Sequence, residues 1–314
     1  MTDHIHAGVR IALGDRRILR EGRFRWLRAT AWMTALFFLV IVTFGTAMES
    51  LQDLLPKGDA RFGFLSHCVG AAVALAVYTL LVRLGEARSP SELAPRPALL
   101  QLLAGLAIGA AMFAAVMAAL TAFGLYDIAY SGPAPAWRAA GLAIEAGVVE
   151  ELAVRAIMLR LLWRAFGPVP AFLVSAAAFG AGHVGNPESS LFAALCIMLE
   201  AGLMLGAFYV LTGRLWMSIG VHAAWNFTQG YVFGAAVSGS DLGPALARST
   251  ARPGLPEWLT GGAFGPEASL PALIICTAVG LLTLWLAWKA GRFATGRRTN
   301  GAAVPGAEPQ IAHA

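Results

Sequence analysis

The chain alternates long apolar runs with short polar connections, and the apolar runs have spanning length. A bilayer core about 30 Å thick takes about 20 apolar residues at a rise of about 1.5 Å per residue. By that ruler the pattern predicts about eight transmembrane helices, near 29–48, 63–84, 98–124, 138–164, 168–185, 189–212, 215–237 and 269–291. Pro168 and Pro170 open the shortest of these, where a first helical turn tolerates proline. The one long connection, 238–268, is rich in Gly, Pro and Ser, and the small polar stretch 292–314 reads as a tail without packed structure. The expected fold is therefore an all-α, polytopic membrane bundle. It comprises a basic segment (1–28), three helices within 29–137, a core of four within 138–237, the loop 238–268 and a last helix at 269–291.

Composition agrees and narrows the class. Hydrophobic residues make up 58% of the chain and charged residues only 13%, whereas a soluble domain carries about 25% charged residues. That excludes a disordered chain and a nucleic-acid-binding domain. Cys68, Cys196 and Cys276 lie far apart in apolar runs, so they read as small hydrophobes rather than a disulfide framework. The basic stretch from Arg10 to Arg28 precedes a run long enough to span, which predicts an uncleaved first helix rather than a signal peptide.

Charge predicts the orientation. With a cytoplasmic N-terminus, seventeen of the 23 Lys and Arg residues fall in cytoplasmic segments. Five (Lys57, Arg61, Arg138, Arg248 and Arg252) fall outside, and Arg155 lies within a span. The positive-inside rule then puts both termini in the cytoplasm, in a bacterial inner or plasma membrane. Trp26, Trp163, Trp216, Trp285 and Trp288 would lie near the inner interface. The net charge of +5 reads as attraction to anionic lipid, with no nucleic-acid partner.

Ionisable residues within a span cost about 2.5–3.5 kcal/mol each at its centre. They gather in spans four to seven: Glu145, Glu150, Glu151, Arg155, His183, Glu200 and His222. On the fourth, Glu151 and Arg155 are i,i+4 neighbours suited to an ion pair, while Glu150 is turned about 100° away and left available. A desolvated, unpaired Glu suits general acid–base work. On the fifth, Phe179 stacks over the face of His183; on the seventh, His222 and Asn226 share a face. Neither histidine sits in an HExxH zinc helix, although Glu150, His183 and His222 together have the chemistry of a metal site. Counted inward from the cytoplasmic helix ends, Glu150 lies about 21 Å deep, His183 about 22 Å, Asn226 about 18 Å and His222 about 12 Å. These depths predict one constellation. Gly180, Gly182, Gly202 and Gly206 would leave room for a cavity beside Glu150. Arg164 and Arg214 at the inner helix ends would mark a cytoplasmic opening and attract a substrate carboxylate.

The order EExxxR, FxxxH and HxxxN on three helices resembles the motifs of the CPBP family, which comprises type II CAAX prenyl endopeptidases and bacteriocin-processing or self-immunity (ABI) proteins. The resemblance covers about 138–230 and includes the approach Thr212-Gly213-Arg214-Leu215-Trp216 to His222. It implies an intramembrane glutamic endopeptidase without a cofactor or metal, acting on a peptide or protein that can carry a prenyl group, in contact with membrane lipid. In such an enzyme Glu150 and His183 activate the attacking water, and His222 and Asn226 stabilise the oxyanion. Glu151, Arg155 and Phe179 would support them. The alternatives are a zinc-dependent membrane protease using the same residues, and a non-proteolytic immunity or scaffold protein.

Overall fold

In the computed structural model, residues 10–293 are described; the expectation for most of the tail 292–314 lies outside them. The chain forms α1 (Arg25–Leu54), α2 (Ala60–Glu86), α3 (Ala98–Ala122), β1 (Tyr126–Tyr130), α4 (137–166), α5 (Pro168–Gly182), α6 (Leu191–Thr212), α7 (216–232), β2 (Ala247–Ala251) and α8 (Leu270–Lys289). Each expected span overlaps one of these helices, but the one expected at 168–185 ends at Gly182 and the one expected at 215–237 ends at Val232. Five of them, α1, α2, α3, α6 and α8, are long and apolar enough to cross a membrane. The other three depart for separate reasons. The helix α4 carries the charges, α5 has only 15 residues, and α7 is short and polar at its centre. The protein is an all-α membrane bundle, with one two-stranded β1–β2 ribbon added at an end.

Local chemistry sets the helix limits. The side chains of Asp59, Ser190 and Ser269 accept hydrogen bonds from the first-turn amides of α2, α6 and α8, as N-caps do. Gly167, at φ 92°, makes the sharp reversal from α4 into α5, and Pro168 then starts the helix. Three helices contain π-helical stretches. These are 146–150 and 152–159 on α4, Met198–Leu203 on α6 and Thr228–Val232 on α7. Such stretches are rare and often accompany functional sites.

Glycines set the closest packing. On α3, Gly105 and Gly109 lie against the Met217–Val221 stretch of α7, so that a Cβ on Gly109 would stand 2.2 Å from Val221 O. The helix α3 is thus the direct backing of α7.

Buried ion pairs hold the end that carries the N-terminal segment. Arg160 reaches Glu86 through two hydrogen bonds of 2.7 and 2.9 Å, and Arg88 grips both Glu86 and Glu92 at 2.6–2.8 Å. Tyr78 adds its hydroxyl to Glu92, and Trp32 Nε1 donates to Glu86 at 3.0 Å. Burial opposes ionisation of Glu92, but Arg88, Arg160 and Tyr78 outweigh it and hold the carboxyl below its usual range. Arg164 donates to Gly14 O at 2.9 Å and Leu19 O at 3.0 Å and pairs with Glu21 at 2.8 Å. Arg88 and Arg160, which entered the sequence reading only through the count that fixes topology, are here interior fasteners. Trp163, expected at the interface, is buried.

At the opposite end, the segment 238–268 is packed rather than free. Its β2 pairs antiparallel with β1, Gly239 N donates to Phe264 O at 2.7 Å, and Phe264 and Ala268 join an apolar cluster with Val154, Phe179 and Ile197.

Candidate active site

Consecutive glutamates on α4 point to different partners. Glu151 is fully buried; its Oε1 lies 3.0 Å from Arg155 Nη1 and 2.9 Å from His222 Nδ1. Glu150 keeps 38% of its side chain exposed, has no hydrogen-bond partner on Oε2, and faces His222 Nε2 at 4.0 Å. One histidine therefore stands between the two carboxylates. An ionised Glu151 can only accept, so Nδ1 carries the proton and Nε2 is directed toward Glu150.

Arg155 is buried and held from three sides. Its guanidinium pairs with Glu151, donates to Ala201 O on α6, and lies 4.8 Å from the centre of the Phe179 ring. Phe179 is the hub of the aromatic contacts, with its ring 4.8 Å from that of His183 and 6.2 Å from that of His222. A cation over one aromatic face contributes about 0.5–2 kcal/mol, and Phe179 links the motif helices α4, α5 and α7 through it.

His183 does not lie within a helix. The helix α5 ends at Gly182, and His183 follows it as the C-cap. Its Nδ1–H donates to Phe179 O at 2.8 Å, satisfying a carbonyl that the helix end would leave free. That bond leaves Nε2 with its lone pair available. Asn226 is half-buried, one turn beyond His222 on α7. The structure thus brings Glu150, Glu151, Arg155, Phe179, His183 and His222 to one region, with Asn226 adjacent on α7.

Several residues fall elsewhere than the sequence suggested. Glu145 pairs with His67 of α2 at 3.0 Å. Gly180, Gly202 and Gly206 do not line a cavity. A Cβ on each would meet Ala194 O at 2.5 Å, Ala176 at 2.8 Å and Phe172 at 3.0 Å respectively, so these glycines permit close helix packing. Of the four glycines expected there, only Gly182 adjoins open space. Arg164, expected at the mouth of an opening, is engaged by the 14–21 segment instead.

Glu267 was not among the expected residues. It precedes α8, is 2% exposed, and accepts from Ser238 N at 2.6 Å and Ser238 Oγ at 2.8 Å. Burial pushes its carboxyl up, while Ser238, His183 and Gln229 pull the other way. Glu200, also buried, shares this neighbourhood. A lone Glu in a Gly/Pro-rich stretch gives no periodic signal, so only the folded chain reveals its burial. Among the described residues, no group of three or more His, Cys, Asp and Glu side chains has the arrangement of a metal-ion site.

Together, fold and site define a helical membrane protein with one group of ionisable side chains gathered between α4, α5 and α7. Residues 132–228 match the family model described as type II CAAX prenyl endopeptidase Rce1-like, under a third of the chain but the part that carries all three motifs. That segment is similar to the Rce1-like domain of type II CAAX prenyl endopeptidases. No curated protein and no solved structure matches the chain.

Proposed function

We propose that the protein is an intramembrane endopeptidase that hydrolyses a peptide bond with a water activated by Glu150 and His183. The observation that carries this reading is the division of labour between adjacent glutamates: the fully buried Glu151 holds both Arg155 and His222 on Oε1, while Glu150 is part-exposed and faces His222 at 4.0 Å. A part-exposed carboxylate held in no close ion pair is suited to take a proton from water. His183, with Nδ1–H committed to Phe179 O, offers Nε2 as the second acceptor.

Attack of the water on the carbonyl carbon places negative charge on the carbonyl oxygen, and His222 and Asn226 stabilise it. For Nε2 of His222 to donate while Nδ1–H stays on Glu151, the ring is the imidazolium, with Glu151 and Glu150 as its counter-charges. Arg155 holds Glu151 in place. The proton removed from water passes to the leaving amine, and the products are a new carboxylate and a new amine. No cofactor takes part. Integral placement in a membrane with both termini cytoplasmic is part of the same reading and rests on the distribution of Lys and Arg.

The test is cleavage by the purified, reconstituted chain of two probe peptides, one ending in a farnesylated CAAX sequence and one an unprenylated membrane segment. Glu150→Gln should abolish cleavage of whichever probe is cut. A Glu150→Gln chain that cuts at the wild-type rate would remove Glu150 from the mechanism.

A further inference from the structure

The segment between α7 and α8 packs onto the loop that leaves His183, and its two arms meet at the buried carboxyl of Glu267. Past the end of α5, Asn186 N donates to His183 O at 3.1 Å, and Pro187 follows. Gly239 lies against that proline. Its φ of 79° suits glycine, and a Cβ there would overlap Pro187 O. The turn that carries Gly239 is closed by Val237 and Ser240, which exchange backbone hydrogen bonds of 2.8 Å. The first arm of the segment thus rests on the backbone of the His183 loop.

The second arm reaches the same histidine from the side of its ring. Phe264 and Ala268 belong to the apolar cluster that buries Phe179. The Phe179 ring stands 4.8 Å from the His183 ring, and Phe179 O accepts the His183 Nδ1–H. Two links tie the arms together. Gly239 N donates to Phe264 O at 2.7 Å. Glu267 Oε1 accepts from both Ser238 N, at 2.6 Å, and Ser238 Oγ, at 2.8 Å. Ser238 has φ 47°, a left-handed conformation that a non-glycine residue keeps only where its surroundings over-determine it. The paired bonds to Glu267 do so. Burial pushes the Glu267 carboxyl up and His183 is among the groups that draw it back, so the imidazole is a near neighbour of that carboxyl.

We infer that Glu267 is a positioning residue for the proposed reaction: by fixing the Ser238 turn it clamps the loop and the ring of His183 in one orientation. It lies beyond the matched segment 132–228, so the clamp is a part of the site that the three motifs do not contain. Glu267 acts through His183 and touches no reacting atom. A histidine that follows a helix end has no further helical turn to hold it, and the clamp supplies that support. The role in cleavage rests on the endopeptidase reading; the clamp itself does not.

The experiment separates the two. In the full-length, reconstituted chain acting on a cleaved probe peptide, Glu267→Ala should lower kcat by about 10²-fold, the scale of about 1 Å of misplacement. KM should stay within about twofold. Glu267→Gln keeps an oxygen for Ser238 to donate to and should recover at least about tenfold of that loss. In a His183→Ala background the same Glu267→Ala change should cost less than about twofold, because it acts through the ring that is gone. An equal fall in both backgrounds is what a general loss of packing gives, and it overturns the positioning role. Where Glu267→Ala does not fold, Ser238→Ala takes its place. It removes one donor, leaves the backbone bond, and should lower kcat by about tenfold on the same pattern.

A ring signal tests the clamp without cleavage. In protein with isotope-labelled histidine, the Nδ1–H resonance of His183 is identified by its absence from His183→Ala. It should shift or broaden in Glu267→Ala, or in Ser238→Ala, and hold its place in Glu267→Gln. An unmoved signal overturns the clamp, and a moved signal with unchanged kcat overturns the positioning role. Cleavage that survives Glu150→Gln removes the endopeptidase reading and leaves the clamp to be decided by the ring signal alone.

Discussion

His222 Nδ1 lies 2.9 Å from Glu151 Oε1 while its Nε2 faces Glu150 at 4.0 Å, so one imidazole is fixed by the first glutamate's neighbour and aimed at the first. The pairing makes Glu151 a positioning residue as well as the partner of Arg155. Glu151→Gln keeps the shape but loses the charge that holds Nδ1–H. Its kcat should fall by about 10²-fold or more, with KM little changed, because the orienting charge acts on the transition state. The kcat and KM of the purified variant on a cleaved probe peptide check this. An unchanged kcat would remove the orienting role.

The Arg160–Glu86 pair predicts a different outcome, in stability rather than chemistry. Removing Arg160 leaves Glu86 with Arg88 alone, and removing Glu86 leaves Arg160 with Glu92 at 3.9 Å; breaking a buried pair in this way costs up to about 3–5 kcal/mol. Arg160→Met and Glu86→Leu should each lower the thermal midpoint in detergent strongly, whereas the double variant should recover most of the loss. Equal damage from single and double variants would contradict the pairing.

Glu92 gives the pH dependence. Its carboxyl is held below the usual range in the folded chain, so it binds fewer protons folded than unfolded above that depressed value. The stability it contributes is complete above the unfolded carboxylate range and is lost as pH falls through the folded value. Thermal midpoints measured across acid pH should therefore drop, and Glu92→Gln should lower the neutral midpoint and make the acid drop shallower. An acid limb as steep as in the wild type would contradict this.

Helix α3 predicts a long-range effect on the site. Gly109→Leu has to displace the Val221 backbone, next to His222. Overpacking of this kind costs about 1–3 kcal/mol or more. The variant should lose both stability and cleavage, while Ile108→Leu, at a part-buried neighbour, should lose neither. Intact cleavage in Gly109→Leu would show that α3 does not fix α7.

These predictions also mark how far the sequence could be read. The helices α1, α2, α3, α6 and α8 were legible because each is a long apolar run. The Glu151–Arg155 pair was legible because i,i+4 spacing stays within one helix. The Glu151–His222 contact was not, since it joins α4 to α7 across 71 positions and no local spacing encodes it. Glu86, Glu92 and Arg160 sit where apolar runs end, and a count of loop charges treats such residues as solvent-facing. Their mutual burial follows only from helix packing. Gly105 and Gly109 did carry a signal, the spacing of small residues that lets helices approach, but it does not name the partner helix. The π-helical stretches around Glu151, Glu200 and Gln229 have no counterpart in the apolar pattern.

Metal removal bears on the same centre. Glu150 and His222 stand 4.0 Å apart, while His222 Nδ1 and His183 Nδ1 are committed to Glu151 and Phe179 O. Treatment with EDTA should leave cleavage unchanged, and elemental analysis of active protein should find no stoichiometric zinc. Activity lost with EDTA and restored by zinc would favour the metal-dependent alternative.

The central claim is that the part-exposed Glu150, and not the buried Glu151, activates the attacking water. Its most direct measurement is the kcat of Glu150→Gln on a probe peptide, with the thermal midpoint measured on the same preparation. A fall of about 10²–10⁴-fold, the usual contribution of a general base, with a midpoint at or above that of the wild type, is the predicted result. A Glu150→Gln chain that cleaves at the wild-type rate would contradict it.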